Sequence, residues 1–259
     1  MAPKRHVICI KWGDRYTAEY VNKLYSMVQR NLTLSHQFHC LTEDPTDINP
    51  NINILAIPKK EIPLKGWWQK VALFKKNFYG LQGEMLFIDL DMIILSNIDD
   101  FFHFAPGQFC MTRNFLKRYK GDPIQATHPS HVSSCVMRFK IGSISHIWDQ
   151  FIQDQEAIIT RHQKGGDQEW IYTAASMVTL WPLDWVSFYK ENFKYRLTPF
   201  SAAIFKKMVS KLSASLSLYA QKPTQGKILA FQNKPDIHEI LSEPSGKYRA
   251  APWLKEYWH

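Results

Sequence analysis

The sequence predicts an α/β protein with a mainly parallel central sheet flanked by helices. Three observations carry that expectation. Short apolar runs alternate with stretches of helical periodicity along the chain, the pattern of strand–helix units that build parallel sheets. Residues 85–88, MLFI, are continuously apolar, as in a strand buried on both faces. That run stops on two acids, Asp89 and Asp91, and open α/β sheets bind ligands at the carboxyl ends of their strands.

In chain order, 7–10 is the first strand, broken by Lys11-Trp12-Gly13-Asp14. A helix follows, with Tyr20, Leu24 and Val28 at spacing four, Val21 and Tyr25 beside them, and Asp14 near its start as a cap. Residues 37–41 form a second strand and 52–57 a third, with the polar, proline-bearing 42–50 between them as a loop. After a further loop, 67–79 fits a helix with Trp68, Val71, Ala72 and Phe74 inward. The acid-tipped strand comes next, and 97–102 reads as a short capped helix. Residues 109–112 and 133–139 are strands, and Gly142 opens a helix carrying Ile144, Ile147, Trp148, Phe151 and Ile152. Asp167 sits where the N-cap of another helix belongs. Residues 177–181 and 228–231 are the last strands. No linker divides the chain, so 1–259 reads as a single domain whose less regular second half supplies substrate specificity.

Composition narrows the function classes. The 259 residues are 45% hydrophobic, enough for an ordinary core, with no repeat or heptad pattern. Nine Trp, eleven Tyr and sixteen Phe suit packing first, and sugar or base stacking second. Cys9, Cys40, Cys110 and Cys135 show no paired metal spacing and read as reduced, mostly buried thiols of a reducing compartment. No signal peptide and no apolar stretch of about 18 residues is visible, which points to a cytoplasmic protein that is peripheral at most.

Lysine and arginine outnumber the acids 32 to 23. Residues 192–235 hold no acid but eight cations: Lys194, Arg196, Lys206, Lys207, Lys211, Lys222, Lys227 and Lys234. That segment would meet phosphates or the anionic inner face of a membrane, or form a solvated basic face. Inside it, Ile204, Phe205, Met208, Val209, Leu212 and Leu216 make an apolar helical stripe, expected to pack on the core. Nucleic acid is not among the expected partners.

The paired acids carry the chemistry. Carboxylates at the end of a buried strand are costly without a cation, and oxygen ligands suit a hard divalent ion such as Mn²⁺ or Mg²⁺. Such an ion at a sheet edge would grip a nucleotide diphosphate and stabilise it as it leaves. Lys70, on the helix leading into the acid-tipped strand, would face the same crevice. The bland alternative is a pair of solvent-exposed turn carboxylates.

These residues resemble the GT-A glycosyltransferases, in particular the glycogenin-like family 8 and related bacterial nucleotide-sugar transferases. LFIDLDMIILSNIDDFF (86–102) is similar to their DxD region. KWGDRYTAEYVNKLYSMVQRNL (11–32) resembles the opening loop and helix that receive the base, and GWWQKVALF (66–74) the helix whose basic residue reaches the donor. SSCVMRF (133–139) is similar to the Asn-Ser-Gly strand beside the donor sugar, and GGDQEWIY (165–172) to the Gly-Asp-Gln helix start.

The resemblance implies a metal-dependent transfer of a hexose from a nucleotide sugar, UDP-linked first of all, to a hydroxyl of a glycan or lipid-linked acceptor, with retention. It implies that Asp89 and Asp91 bind the metal, that Lys70 and Ser134 contact the donor, and that Lys11, Trp12 and Asp14 line the base pocket. Asp167 would bind sugar hydroxyls and Gln168 lie near the anomeric carbon. About 1–112 would then be the nucleotide-binding half and about 113–259 the acceptor- and sugar-specific half. Two departures stand out. The family's third metal ligand is a His in Phe-His-Gly, where this chain has Phe231-Gln232-Asn233, leaving Gln232 or nearby His238 to ligate. Cys135 replaces the usual glycine of Asn-Ser-Gly. A transferase-like glycan-binding protein is the alternative. A phosphatase of the haloacid dehalogenase type also uses an acid-tipped strand, but Ile93 holds its usual small or hydroxyl position.

Overall fold

The computed structural model describes residues 4–57, 64, 66–114, 124–194, 219–223 and 226–259. The apolar stripe of 200–218 and most of the acid-free segment therefore lie outside the described residues. The first half reads β1 (Arg5–Lys11), α1 (Ala18–Asn31), β2 (Gln37–Thr42), β3 (Asn53–Ala56), a 3₁₀ helix at Gly66–Phe74, β4 (Glu84–Ile88), β5 (Met92–Ile94), α2 (Asp100–His103) and β6 (Cys110–Arg113). Then follow β7 (Val132–Lys140), α3 (His146–Gln153), α4 (Gln155–Arg161), α5 (Gly166–Ala174), β8 (Thr179–Leu180), β9 (Val186–Phe188), α6 (Tyr189–Asn192) and β10 (Ile228–Ala230).

Seven strands form one sheet in the order β3-β2-β1-β4-β7-β6-β8. All pairings are parallel except those of β7, which runs antiparallel to both β4 and β6. Alternation along β1 sends Val7 and Cys9 to one face and Ile8 and Ile10 to the other, as the two-residue period of a strand requires. The first face packs on α1 through Tyr20, Val21, Leu24, Met27 and Val28. The second carries the 3₁₀ helix, α3 and α5, through Trp68, Val71, Phe74, Ile147, Phe151 and Trp170. Four free cysteines are buried in these layers. Among the described residues, no helix is long and apolar enough to cross a membrane.

Three local expectations change. Asp14 is exposed in the loop after β1, and the N-cap of α1 is Thr17. The helix expected over 67–79 is a 3₁₀ helix that stops at Phe74. Tyr79 and Gly80 then take left-handed φ values of 50° and 70°, turning the chain into β4. Asp167 is no cap: Gly165 holds that position, and Asp167 lies buried inside the first turn of α5.

A second sheet, β5-β10-β9, forms on the α1 side. β10 runs antiparallel to β5 and parallel to β9. Its pairing carries one residue beyond the strand, where the Phe231 N–H donates to the Asp91 carbonyl at 2.9 Å. This returns the segment after β10 to the end of the acid-tipped strand.

One buried cation locks the sheet to the loop before β6. Arg138 on β7 is fully buried and meets Glu84 at 3.1 Å. It also donates to the carbonyls of Phe104 at 2.6 Å and Ala105 at 2.9 Å. Arg138→Met strands these acceptors without a donor. Removing one partner of such a pair costs about 3 kcal/mol, so a fall of that size in urea-unfolding free energy is expected, and an unchanged midpoint would show the network to be dispensable.

Candidate active site

The carboxyl ends of β1 and β4, the start of β7 and the first turn of α5 open onto a cleft of about 390 Å³. The 3₁₀ helix contributes Trp67 and Lys70, and the segment after β10 contributes Gln232 and Asn233. Asp89 lies one residue past β4, where its N–H still donates to the Cys135 carbonyl of β7 at 2.9 Å. The turn Asp89-Leu90-Asp91 buries Leu90 and leaves both carboxylates on the cleft.

Lys70 organises the centre. Its Nζ donates to Asp89 Oδ2 at 2.7 Å and to Ser134 Oγ at 3.2 Å, and stands 4.0 Å from Asp167 Oδ2. The Ser134 hydroxyl in turn donates to Asp167 Oδ2 at 2.6 Å. The inward turn of Asp167 thus serves this chain of contacts, which is why it does not cap α5. Burial alone would lower the Lys70 ammonium, but the Asp89 and Asp167 carboxylates outweigh it and raise it above its usual value.

The acids are pushed the other way. Burial raises Asp89 to about 6 against the pull of Lys70. Burial, and then the charge of Asp89, raise Asp91 to about 7. Burial also raises Asp167. Asp91 accepts a hydrogen bond from Tyr16 OH at 3.2 Å. Among the described residues, no cationic side chain forms an ion pair with it. Asp89, already held by Lys70, and Asp91, held by Tyr16 without an ion pair, bring carboxylate oxygens to one cleft, a donor set that fits a hard divalent cation.

The third ligand position is less complete. Gln232 lines the cleft, and its Nε2 donates to Ser133 Oγ at 3.1 Å. His238 does not line the cleft; its Nδ1 is 3.0 Å from Tyr20 OH. Asp236, His238 and Glu239 do bring ligand atoms within 4.8 Å of one another. Lys234 already occupies this cluster, at 2.6 Å from Asp236 and 2.9 Å from Glu239, and Arg15 meets Asp236 at 3.4 Å. The cluster also caps the 3₁₀ helix Ile237–Ile240 and so reads as a structural closure.

Of the residues expected at the base pocket, Trp12 lines the cleft. Lys11 is buried and absent from the lining, its Nζ tied to Asp44 through the carbonyl at 3.3 Å and the carboxylate at 3.6 Å. Asp14 is exposed outside the lining. Gln168 lines the cleft beside Asp167. Cys135 lines it too, its thiol raised to about 11 by burial and the Asp89 charge, so it is an inert wall. Sequence reasoning passed over Arg15, Tyr16 and Trp67, which also line the cleft. Their signal was present: Arg15 and Tyr16 end the same post-strand loop as Trp12, and Trp67 stands three residues before Lys70.

Solved glycosyltransferase structures superpose on this architecture. GlyE of Streptococcus pneumoniae TIGR4 matches with a TM-score of 0.60 at 11% identity, over 98% of this chain and 60% of its own. The bifunctional glycosyltransferase WbbM matches at 0.55 and 13%, over 99% of this chain and 51% of its own. The galactosyltransferase LgtC, solved with donor and acceptor sugar analogues, matches at 0.54 and 9%, over 97% of this chain and 94% of its own. The chain has the fold of these glycosyltransferases. It spans 60% of the GlyE chain and 51% of the WbbM chain. No protein-family model and no curated protein matches the sequence.

Proposed function

We propose that the protein is a metal-dependent glycosyltransferase that moves a hexose from a UDP-sugar to a hydroxyl of a glycan or lipid-linked acceptor, with retention. The observation that carries this reading is the Lys70–Asp89–Ser134–Asp167 contact chain beside Asp91, at the carboxyl ends of the sheet strands. The fold it shares with solved glycosyltransferases supports the same class of reaction.

In this reading Asp89 and Asp91 hold Mn²⁺ or Mg²⁺, with the Gln232 amide oxygen as the third protein ligand. Bound there, such an ion would supply positive charge to the diphosphate as it leaves. Lys70 supplies a second positive charge on the phosphates. Its ammonium is kept charged by Asp89 and Asp167, so it offers a fixed electrostatic contact as negative charge builds on the leaving oxygen. Trp12, Arg15 and Tyr16 receive the nucleoside, and Lys11, next to Trp12 in the chain, anchors the Asp44 loop. Asp167, oriented by Ser134, accepts hydrogen bonds from sugar hydroxyls, and Gln168 stands beside the anomeric carbon. Residues 1–112 supply most of the nucleotide-binding part and 113–259 most of the sugar- and acceptor-specific part.

Calorimetry with UDP, with and without Mn²⁺, tests the reading. Binding should require the ion, and a screen of nucleotide sugars should release diphosphate nucleotide from one of them. Glycan binding with no affinity for UDP would overturn it in favour of a transferase-like lectin. Phosphate release from a phosphomonoester would overturn it in favour of a phosphatase.

A further inference from the structure

The cleft displays one large aromatic surface that the donor-handling residues leave unused. Trp67 is 54% exposed, yet it lines the cleft together with Lys70, Asp167 and Gln168. A single exposed aromatic is ordinary; the way this one is held is not. Trp67 lies in the first turn of the 3₁₀ helix, three residues before Lys70. Side chains at that spacing eclipse in a 3₁₀ helix, so the indole and the ammonium share one face. The helix has no freedom to roll Trp67 inward. The next residue, Trp68, is buried and stacked on Phe151 at 5.5 Å between centroids.

The backbone at the start of α5 leaves room for the indole. Gly166 adopts φ +64°, and a Cβ there would lie 2.7 Å from Trp67 Nε1 and 3.2 Å from Cδ1. The ring therefore rests directly against the backbone that opens α5. Asp167 and Gln168, the next two residues, are the sugar-handling pair of the proposed function. The nucleoside-side residues Trp12, Arg15 and Tyr16 come instead from the loop after β1.

We infer that Trp67 is the acceptor platform of this cleft: a pyranose ring of the acceptor glycan stacks its C–H face on the exposed indole and presents its hydroxyl at the anomeric carbon beside Gln168. A pyranose offers an apolar face and a polar rim, which matches an aromatic plane bordered by carboxylate and amide groups. The placement of the ring against the α5 turn favours a sugar over the donor base. This inference rests on the glycosyltransferase reading above.

The test uses the full chain, a panel of p-nitrophenyl hexosides as acceptors, and UDP with Mn²⁺ in calorimetry. Trp67→Ala and Trp67→Leu are expected to raise the acceptor KM by about tenfold or more, with a much smaller fall in kcat. UDP affinity should stay within about twofold. Trp67→Phe, which keeps an aromatic face, should stay close to wild type. The Leu–Phe comparison decides the matter if the Ala variant folds poorly. A loss of UDP affinity as large as the acceptor effect assigns the ring to the donor and overturns the inference, as does an unchanged acceptor KM. Wild-type protein that binds no UDP with Mn²⁺ overturns the glycosyltransferase reading itself, and the platform falls with it.

Discussion

Asp91→Asn is expected to lower metal-dependent diphosphate release from a UDP-sugar by about 10²- to 10³-fold while the chain stays folded. The substitution keeps shape and an oxygen acceptor for Tyr16 OH, which now donates to the carboxylate at 3.2 Å. What it removes is a charge that no cationic side chain pairs directly among the described residues. Burial and the neighbouring Asp89 raise the acid from 3.8 to about 7. A carboxyl group raised on folding contributes stability that is complete below its unfolded value and is lost as pH rises through its folded value. The ion-free wild type should therefore lose stability between about pH 4 and pH 7, and a divalent cation should restore it. At one hundred times its dissociation constant, the ion adds about 2.7 kcal/mol. Melting curves at pH 5 and pH 8 with and without Mn²⁺ check both halves of the argument. The wild type should respond to Mn²⁺ at pH 8 and hardly at pH 5, where protons compete for the same oxygens. The Asn variant should show a shallower pH slope and little response at either pH. Full hydrolysis and a full Mn²⁺ response in a folded Asn variant would remove Asp91 from the ion site.

The parts of this site that were legible in the sequence are those written locally. The strand Glu84–Ile88 announces itself because four apolar residues in a row fit a strand covered on both faces. Helix Ala18–Asn31 announces itself by the spacing of Tyr20, Leu24 and Val28. The cleft position of Lys70 follows from its being on the element that feeds the acid-tipped strand. What was not legible depends on contacts distant in sequence. Asp167 at a helix start looks like a cap, because the local rule gives that role to an acid. Ser134, 33 residues away in the chain, turns it inward instead. The antiparallel direction of β7 is equally hidden, since an apolar run has no sense of direction. Arg138 shows the same limit: an arginine in a strand gives no sign that carbonyls 33 and 34 residues away will bury it. Tyr16 lay inside a motif already singled out, but its hydrogen bond to an acid 75 residues on could not be read from spacing.

Lys70→Met should produce two effects that a purely structural lysine would not combine. The first is destabilisation that depends on pH. Met retains the length and apolar stem of the side chain but leaves Asp89 without its partner at 2.7 Å and Asp167 without the charge at 4.0 Å. Stranding partly buried carboxylates in this way costs about 3 kcal/mol. The wild-type ammonium is raised by those same carboxylates, so its contribution is present at every pH below the ordinary lysine range and is lost only far into alkali. In the variant, Asp89 rises further from its present value of about 6. The stability deficit should therefore be largest near pH 8 and shrink toward pH 5, where the stranded acids take up protons. The second effect runs opposite to the first. Lys70 Nζ now occupies Asp89 Oδ2, an oxygen that the proposed ion also needs. Removing it should tighten nucleotide-free Mn²⁺ binding by about tenfold, even as turnover of a UDP-sugar falls by about 10²-fold or more for want of a charge on the phosphates. Manganese calorimetry without nucleotide reads the first quantity, and diphosphate release reads the second. Tighter ion binding with slower turnover fits a lysine that guards the acid until the diphosphate draws it away. Weaker ion binding, or a stability deficit that is the same at pH 5 and pH 8, would show that Lys70 neither competes at Asp89 nor balances its charge.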